Sequence, residues 1–495
     1  MASQRLLAFV SLLSTFVASS AQPASGGNST LSACQSIAKT ISSASAVYYP
    51  GSPNYTEDNA HWANSSSAAS TCSVEPGTAE DVGAIIKGGG HATNPGFSSS
   101  TGVEIAMTRF SNVTYDASSQ TADIGAGLVW DDVYAALEPH GVNVIGGRVS
   151  GVGVAGFTLG GGYSYKTNQY GLAVDNVVAY ELVLPNGTVT TVTSDDEDLF
   201  WGLKGGFNNF VCLSPAWLQI RLTQCIQGIV TKFTFKTFSQ GEIWGGLVTI
   251  PASGVDAATD AIANFHANVT DPKAAIVPAY VYSSGEVTME ITIFYDAPAQ
   301  PSGIFDEFLA ISGINRSVLK TQSYLSLVQS TAGLPGGSQT FFGAASFIDL
   351  PKYLLETVIN ETKFWGDYIT PYSGVTILNI VEPFLPTIFS HGAPDSSAYP
   401  PDRSVTLLPV NLFFVWNNAS QNDRMHDAMV QSQHQMTLVA VAEGQDVANA
   451  GIYPNYALYD APLESLWGGN VPRLQSIAKQ YDPTNVMSLT GGYKV

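Results

Sequence analysis

The sequence predicts an α+β protein with two intertwined domains, and three observations indicate this class. The chain has 495 residues, more than one simple core accommodates, so two or three domains are expected. Residues 70–240 are dense in glycine and β-branched runs, whereas residues 240–440 combine a predicted hairpin, a buried strand and a helix. Hydrophobic residues make up 45% and charged residues 12% of the chain, which is typical of a compact globular protein rather than a disordered one.

The glycine-rich region is predicted to be built mainly of strands. A helix is expected to begin near its start, with Thr78 as N-cap and acidic residues in the first turn. Residues 103–110 and 121–130 have the composition of strands. Residues 177–192 predict a hairpin whose turn contains Asn186-Gly187.

The second half predicts a different mixture of elements. Residues 279–296 indicate another hairpin, residues 410–418 a buried strand and residues 424–444 a helix. Residues 463–487 predict a short helix closed by Pro483. There are no internal repeats, so a solenoid or propeller is not expected.

Charge and the N-terminus indicate a secreted protein. The formal net charge of −20 argues against nucleic acid or an anionic membrane as partner. Residues 1–21 carry Arg5, an apolar run and small residues, which is the three-part form of a secretory signal. We therefore expect a secreted or secretory-lumen protein that is N-glycosylated. The N-x-[ST] sequons begin at Asn28, Asn54, Asn64, Asn112, Asn186, Asn268, Asn315, Asn360 and Asn418.

One glycine motif imitates a dinucleotide site. Residues 151–156 match G-x-G-x-x-G, and the acidic Asp175 lies about twenty positions further on, as the fingerprint requires. The fingerprint needs a helix that starts at its glycines, and the three glycines at 160–162 cannot propagate one. A nicotinamide dinucleotide fold is therefore not expected.

The remaining glycine-rich loops allow two interpretations. They bring backbone N–H groups close to a bound anion, or they form the tight turns of a β-rich protein. His91 directly follows three glycines, which have no side chains to shield its imidazole. A poorly shielded imidazole suits a nucleophile or a ligand better than a core residue. These residues alone do not decide between the interpretations.

Together the segments resemble the FAD-linked oxidoreductases with a p-cresol-methylhydroxylase (PCMH)-type flavin domain, in particular the fungal berberine-bridge-enzyme-like branch. The stretches that carry the resemblance are 87–107, 124–137, 141–187, 198–210, 228–235 and 453–487. The resemblance implies a two-subdomain PCMH-type FAD-binding domain with an inserted substrate domain, built on an antiparallel sheet covered by helices. The implied divisions are a signal peptide (1–21), a leader (22–66), the FAD domain (67–238), the substrate domain (239–445) and a berberine-like segment (446–495).

The same resemblance assigns roles to individual residues. In this family the His of the K/R-x-G-G-H motif bonds covalently to the flavin 8α-methyl group, and here that residue is His91. Val149 replaces the Cys that forms a second tether in many relatives, so a monocovalent FAD is implied. The other implied FAD-binding residues are Lys87, Gly88, Gly89, Gly90, Ala92, Gly125, Gly127, Gly151, Gly153, Gly156, Gly161, Tyr163, Asp175, Ile229 and Asn455.

Two residues are candidates for the catalytic base. Glu382 lies four residues before a proline on a predicted strand, as the catalytic Glu of the family does, and a solvated loop Glu is the open alternative. Tyr456 is the alternative proton acceptor or hydrogen-bond partner. No metal site is expected, because no His lies at ligand spacing from the cysteines.

The resemblance implies hydride removal from an alcohol or ring carbon of a small molecule, with O₂ reoxidising the flavin to give H₂O₂. Fungal secondary metabolism is the expected setting, and the protein is expected to be a monomer. The alternatives are a flavin-dependent oxidative cyclase, a carbohydrate oxidase, or a non-functional product of mis-splicing. Val149 disfavours the carbohydrate oxidase, since those relatives usually carry the second tether.

Two departures from the family suggest a splicing error. About twenty residues, including a strand, are absent between Ile86 and Lys87. Residues 211–227 interrupt the family's continuous GGFNNFG-V/I-VT run, and their ends can be encoded as a fungal intron start and end. We hypothesise a retained intron and a lost exon stretch, with a divergent isoform as the alternative. A cDNA with both features would disprove the splicing error.

The four cysteines are expected to form disulfides in an oxidising compartment. Cys212 and Cys225 belong to the insertion, so without it only Cys34 and Cys72 remain. Relatives carry a matching disulfide between the N-terminal helix and the loop before the flavin domain. The resemblance therefore implies a Cys34–Cys72 bond.

Overall fold

The structure is a computed structural model that describes residues 27–83, 99–207, 228–331, 337–483 and 492–495. The predicted signal, the 86/87 junction and the insertion 211–227 lie outside the described residues. The same holds for the predicted flavin tether and its neighbours, Lys87, Gly88, Gly89, Gly90, His91 and Ala92.

The described residues form helices and strands in both halves of the chain. The helices are α1 (Gly27–Thr40), α2 (Pro53–Asp58), α3 (Ala79–Val82), α4 (Trp130–Leu137), α5 (Val154–Leu159), α6 (Thr167–Tyr170), α7 (Glu197–Leu203), α8 (Val255–Asn268), α9 (Asp306–Ala310), α10 (Tyr324–Ser330), α11 (Lys352–Ile369), α12 (Asn422–Ala442), α13 (Leu463–Trp467) and α14 (Val471–Tyr481). The strands of the first half are β1 (Ala46–Tyr48), β2 (Cys72–Glu75), β3 (Val103–Ile105), β4 (Val113–Asp116), β5 (Thr121–Gly125), β6 (Val142–Asn143), β7 (Val177–Val183), β8 (Val189–Val192) and β9 (Ile229–Lys236). Those of the second half are β10 (Phe238–Ser239), β11 (Ile243–Ile250), β12 (Ala274–Ser283), β13 (Glu286–Tyr295), β14 (Lys320–Gln322), β15 (Gln339–Phe347), β16 (Gly374–Val381) and β17 (Leu408–Trp416).

The described residues of the first half form two sheets of three or more strands, and β6 pairs with β10 in a two-stranded sheet. The larger is antiparallel, in the order β4-β5-β9-β7-β8, and its β7–β8 pair is the predicted hairpin, with Gly187 in the left-handed region at φ 82°. The smaller has the order β1-β2-β3, and β2 pairs with β3 in parallel. Cys34 and Cys72 form the implied disulfide, which joins α1 to β2.

The second half forms one seven-stranded antiparallel sheet in the order β14-β11-β13-β12-β16-β17-β15. The hairpin β12–β13 and the strand β17 occupy the predicted positions, and every residue of β17 is buried. Helix α11 packs on β12 and β16, and α12 packs on β15. The fold is therefore α+β, an antiparallel sheet covered by helices beside a glycine-rich domain.

A single large apolar core runs through both halves of the molecule. It joins residues of the five-stranded sheet, such as Phe233, to residues of the seven-stranded sheet, such as Ile377. Each fully buried large side chain of this kind contributes about 1.5–3 kcal/mol. The C-terminal segment also enters this core through α13 and α14, so the last residues return to the glycine-rich domain.

Two expectations for single elements need correction. A helix does begin at the glycines of 151–156, because Gly153 is the N-cap of α5, but α5 ends after six residues at Gly160. The strands before and after α5, β6 and β7, belong to different sheets. Among the described residues α5 therefore does not form the parallel β-α-β unit of a dinucleotide fold. Residues 463–487 contain two helices, α13 and α14, instead of one. Among the described residues, no helix has the length and apolarity needed to cross a membrane.

Candidate active site

Glu382 lies at the point where the seven-stranded sheet meets the glycine-rich domain. It follows β16 directly, and its backbone carbonyl accepts a hydrogen bond from the N–H of Phe384 at 2.9 Å. The residue is 1% exposed, so the solvated-loop alternative is wrong for this glutamate. A carboxylate buried this deeply needs charged or hydrogen-bonding partners.

Arg148 provides the opposite charge from the glycine-rich domain. Its Nη2 donates to Glu382 Oε1 at 2.7 Å, and its guanidinium lies over the Phe384 ring at 5.7 Å from the centroid. The backbone carbonyl of Arg148 accepts from the hydroxyls of Tyr165 (3.2 Å) and Thr331 (2.7 Å). These contacts fix a loop residue between two domains.

Tyr456 completes the group from the C-terminal segment. Its hydroxyl donates to Glu382 Oε1 at 2.6 Å and accepts from Arg148 Nη2 at 3.1 Å. We call Arg148, Glu382 and Tyr456 the acid–base cluster. Glu382 lies 234 residues and Tyr456 lies 308 residues after Arg148 in the sequence, so the cluster joins three separate segments of the chain.

Burial and charge determine the protonation of the cluster. Burial alone would lower the pKa of Arg148, but attraction by Glu382 and Tyr456 more than offsets this, so the pKa is raised. Burial and the negative charge of Glu382 raise the pKa of Tyr456 well above its usual value. At neutral pH the guanidinium is therefore charged and the phenol is neutral.

A wall of aromatic side chains surrounds the cluster. Tyr163 stacks on Phe384, with centroids 5.1 Å apart, and meets Tyr453 edge to face at 4.7 Å. Tyr453 in turn meets Tyr456 edge to face at 4.8 Å, and the hydroxyls of Tyr163 and Tyr399 are 3.2 Å apart. Burial raises the pKa of the Tyr163, Tyr399 and Tyr453 phenols, so the wall is uncharged.

Within the described part of the chain, two atoms of the cluster have no hydrogen-bond partner. They are Glu382 Oε2 and Arg148 Nη1, and both are buried. An unsatisfied buried polar atom costs about 1–3 kcal/mol, and native proteins keep few of them. Such atoms are more common where a protein binds a ligand or performs chemistry, because strain and unpaired groups collect there.

The predicted glycines fall into two groups. A Cβ at Gly125 or Gly127 would collide with the backbone carbonyl of Phe110 or Met107, so close packing inside the protein accounts for both. Gly151 and Gly156 are exposed, and a Cβ there would meet no atom within 4 Å. The open side of residues 151–156 therefore leaves room for a ligand to approach the backbone.

Asn455 belongs to the same C-terminal segment as Tyr456, and Tyr453 of that segment lies next to Gly161. Gly161 has φ 118°, which a residue with a side chain rarely adopts, and its carbonyl accepts from Val174 N–H at 3.1 Å. Asn455 Nδ2 donates to the Tyr453 hydroxyl at 2.6 Å and to the Phe157 carbonyl at 3.2 Å. Asn455 thus ties this segment to α5.

Three other predicted FAD-binding residues make contacts within the protein. Asp175 pairs with Arg403 at 2.7 Å, and its second oxygen accepts from the N–H of Leu172 at 3.0 Å. Ile229 packs in the small core around the disulfide, and Val149 is partly buried next to Arg148.

The loop and its surroundings fit a bound polar cofactor. Besides the open glycines, the buried Trp130 Nε1 and Thr158 Oγ1 have no hydrogen-bond partner among the residues that the structure describes; Thr158 lies within residues 146–158 and Trp130 packs against them. Unpaired donors around an exposed glycine loop are suited to a group rich in phosphate and carbonyl oxygens, such as FAD.

Sequence reasoning missed Arg148. The residue stands in GGRVSG, directly before the Val149 that was singled out, and it is one of only 20 Lys and Arg residues in the chain. A lone basic residue inside a glycine-rich loop was the signal that could have found it.

Comparisons with known proteins agree with this geometry. A family profile described as an FAD binding domain matches residues 73–193, and one described as berberine and berberine like matches residues 452–490. An uncharacterized FAD-linked oxidoreductase of Arthroderma benhamiae is 37% identical over 300 residues, which cover 57% of this chain and 56% of that protein. The match thus spans little more than half of that relative.

A longer match and a solved structure cover nearly the whole chain. The FAD-dependent monooxygenase drtC of Aspergillus calidoustus is 28% identical over 472 residues, covering 88% of this chain and 84% of that protein. The structure of berberine-bridge-enzyme-like protein 1 of Physcomitrella patens has a TM-score of 0.73 and 19% identity, covering 92% of this chain and 97% of that one. An identity this low shows the shared fold alone. Taken together, the two family profiles and the fold show that this chain is an FAD-dependent oxidoreductase that carries an FAD binding domain and a berberine-like segment.

Proposed function

We propose that this protein is an oxidase that removes a hydride from an alcohol or ring carbon of a small molecule and passes the electrons to O₂. The observation that carries the proposal is the acid–base cluster, buried between the open glycine loop and the substrate sheet. A buried carboxylate within 2.6 Å of a phenol supplies a proton acceptor beside a hydride acceptor.

The cofactor is FAD, held through the glycine loop of residues 151–156 and tethered by His91 alone. When bound, FAD supplies the hydride acceptor and the site at which O₂ is reduced to H₂O₂. The protein's own part is to orient the substrate carbon, exclude water with the aromatic wall and accept one proton at Glu382 or Tyr456. The overall change is R₂CHOH + O₂ to R₂C=O + H₂O₂.

The first experiment tests the tether. We would express the chain as given and with both repairs, at 86/87 and at 211–227, and look for flavin fluorescence in the protein band of a denaturing gel. The repaired protein should fluoresce, and His91→Ala should not. His140→Ala, a change at an exposed His on the β4 side of the domain, is the matched control and should keep the signal. A dark band from the repaired wild type would exclude a covalent flavin.

The second experiment separates the reaction classes. One of the relatives is named a monooxygenase, so this protein's reaction should be run under ¹⁸O₂ to distinguish a monooxygenase reaction from an oxidase reaction. An oxidase gives labelled H₂O₂ and an unlabelled product, whereas a monooxygenase places one labelled oxygen in the product. A cyclase would yield a new ring with one H₂O₂ per turnover, and activity confined to sugars would indicate a carbohydrate oxidase.

Secretion and glycosylation belong to the same proposal. The Cys34–Cys72 disulfide suits an oxidising compartment, and the sequon residues Asn112, Asn186 and Asn268 are exposed. In a fungal host the protein should reach the medium and lose mass on treatment with an N-glycosidase. Retention inside the cell without a glycan would contradict the proposal.

A further inference from the structure

We propose that the groove between α11 and α12 is a sugar-binding surface, and that the sugar it holds is the chain's own N-glycan, attached at Asn360. This inference rests on the secretion and glycosylation that belong to the proposed function. It concerns the outer surface of two helices and is independent of the acid–base cluster.

An exposed row of aromatic side chains runs along the outer side of α11. Tyr353, Phe364 and Tyr368 are 40%, 60% and 38% exposed, whereas the opposite side of the helix is buried on β12 and β16. Spacings of eleven and four residues place the three rings on one face of the helix. Several large exposed aromatic rings on one face indicate a surface that a partner covers.

Asn360 belongs to the same row. It begins the sequon Asn360-Glu361-Thr362, its side chain is exposed, and it lies four residues before Phe364. Side chains four residues apart on a helix have Cβ atoms about 5–6 Å apart. A glycan on Asn360 therefore leaves the surface directly beside the Phe364 ring.

The sequon is accessible only before α11 packs on the sheet. Thr362 is fully buried, and its hydroxyl donates to the Val358 carbonyl at 2.7 Å. The glycan must therefore be added to the unfolded chain, as it enters the secretory compartment. The folded helix then fixes the direction in which the glycan leaves Asn360.

A groove begins at Phe364. Its volume is about 480 Å³, within the range of about 300–1,000 Å³ that ligand pockets span. Aromatic side chains of α11 form one wall and polar side chains of α12 the other, with the lining residues Phe364, Trp365, Tyr368, Arg424, Asp427 and Gln431.

These two walls have the chemistry that a sugar requires. The C–H groups on one face of a sugar ring carry partial positive charge and pack on the negative face of an aromatic ring. Each sugar hydroxyl both donates and accepts, and the polar wall offers a carboxylate acceptor, guanidinium donors and an amide that does both. The guanidinium is already held, since its carbon lies 3.9 Å from the Tyr372 ring centroid and Arg424 Nη1 donates to the Tyr368 hydroxyl at 2.9 Å.

The charges of the groove favour a neutral ligand. Arg424 and Asp427 contribute opposite charges three residues apart on α12, and the net charge of −20 on the chain repels polyanions. A protein partner, including a second copy of this chain, would need about 800 Å² of free surface on each side. A glycan that leaves the helix beside Phe364 would block such a contact.

The covalent link at Asn360 explains why the occupant is the chain's own glycan and not a free saccharide. A short flexible tether gives its end an effective concentration in the millimolar range at the neighbouring surface. Weak contacts between sugar and aromatic rings are then occupied without any sugar in solution.

The first experiment tests whether Asn360 is modified. We would secrete the full chain from a fungal host, treat it with trypsin, and release the glycans with an N-glycosidase in H₂¹⁸O, which converts each glycosylated Asn to ¹⁸O-labelled Asp. Trypsin cuts after Lys352 and Lys363, and the peptide 353–363 carries this sequon alone, whereas the peptide 237–273 carries Asn268. The peptide 353–363 should carry the label.

The two peptides separate this inference from the proposed function. Label in the peptide 237–273 and none in the peptide 353–363 would overturn the Asn360 glycan alone. Label in no sequon peptide would contradict the proposed glycosylation, and this inference with it.

The second experiment tests whether the glycan lies in the groove. Endoglycosidase H would trim the folded, secreted protein, and the trimming of each site would be followed on its tryptic peptide. A glycan packed on aromatic rings should be trimmed about 2- to 10-fold more slowly than the one at the exposed Asn268, and the two rates should become equal after denaturation. Equal rates in the folded protein would overturn the packing.

A matched pair of variants on α11 tests the position of the glycan. Phe364→Ala removes an exposed ring of the groove and should raise the native trimming rate at Asn360 to that at Asn268. Tyr353→Ala removes an equally accessible ring seven residues before Asn360, outside the groove, and should leave the rate unchanged. Acceleration by Tyr353→Ala and not by Phe364→Ala would overturn the groove as the binding surface.

Removing the glycan gives an independent readout. Asn360→Gln should bind more of the apolar dye bis-ANS than Asn268→Gln does, because the aromatic row loses its cover. Phe364→Ala in the Asn360→Gln background should reduce the dye signal again. Equal dye binding by the two single variants would show that no glycan covers these rings.

Discussion

Two buried Arg–carboxylate pairs join the glycine-rich domain to the rest of the chain, and they differ in how fully they are bonded. In both pairs the N···O distance is 2.7 Å and all four side chains are at most 9% exposed. Asp175 and Arg403 also bond Leu172, Phe389 and Ser397, and in the described parts of the chain only Arg403 Nε lacks a partner in this pair.

The Arg148–Glu382 pair is less complete. Among the described residues each partner keeps one unpaired atom, and the side chain that hydrogen-bonds to both partners is the neutral phenol of Tyr456. A buried ion pair stabilises a fold only when further hydrogen bonds satisfy both ions. The comparison indicates that the Asp175 pair supports the structure, whereas the Glu382 pair, which we propose takes part in the reaction, leaves buried atoms unpaired at a cost in stability.

The largest expected effect comes from breaking the complete pair. Asp175→Asn leaves the Arg403 cation buried without its counter-charge, which should lower the free energy of unfolding by about 3–5 kcal/mol. Urea unfolding of the flavin-loaded protein measures it, with the exposed Asp195→Asn as control. A loss no larger than that of the control would mean that the two pairs do not differ as described.

The sequence predicted some parts of this arrangement and could not predict others. Hairpins and helices with local signals, such as the Asn186-Gly187 turn and the Thr78 cap, formed as expected, because neighbouring residues determine them. Glu382 and Tyr456 were each predicted near the flavin, and the structure brings them into contact. Arg148 was not expected there, since its partners lie 234 and 308 residues away and only the folded chain joins them.

The prediction from the local sequence was also wrong for one helix, α5. Three glycines at 160–162 were expected to prevent a helix, yet they only end α5, which forms before them on the tertiary contacts of the core. In the same way, the glycines at 125 and 127 were assigned to the cofactor, whereas backbone packing accounts for them. Whether they also approach FAD stays a prediction.

The second prediction removes the incomplete pair altogether. Arg148→Met combined with Glu382→Leu removes both charges of this pair, and replacements of this kind are neutral or stabilising by about 1–4 kcal/mol. Flavin reduction by alcohols should be abolished in the same protein. Urea unfolding and anaerobic reduction provide the two readouts. A clearly destabilised double variant would show that this pair, too, holds the fold together.

The third prediction concerns Lys204, a buried lysine beside the complete pair. Burial lowers its pKa to about 8; Asp175 opposes this, whereas Arg403 and Lys236 add to it. In the unfolded chain the ammonium keeps its proton up to pH 10.5, so its burial costs stability in full below pH 8 and progressively less as the pH rises to 10.5. Lys204→Met should therefore stabilise the protein by about 1–3 kcal/mol at pH 7.

The pH dependence is the control for Lys204. The difference in unfolding free energy between Lys204→Met and the wild type should shrink between pH 8 and pH 10. A constant difference would point to packing of the methionine against Phe200, whose ring lies 5.2 Å from the lysine nitrogen, instead of to the buried charge.

The smallest effect is expected for an exposed ion pair, which isolates the contribution of burial. Lys232 lies 3.2 Å from Asp123 and 3.8 Å from Glu181 on the five-stranded sheet, with side chains 30–40% exposed. Water already solvates these charges and salt screens them. Lys232→Met should therefore change the unfolding free energy by less than about 1 kcal/mol. The change should decrease further at 1 M salt, where screening acts within about 3 Å. If this variant cost as much as Asp175→Asn, burial would not explain why breaking the Asp175–Arg403 pair is costly, and the number of charges on each partner would have to be considered instead.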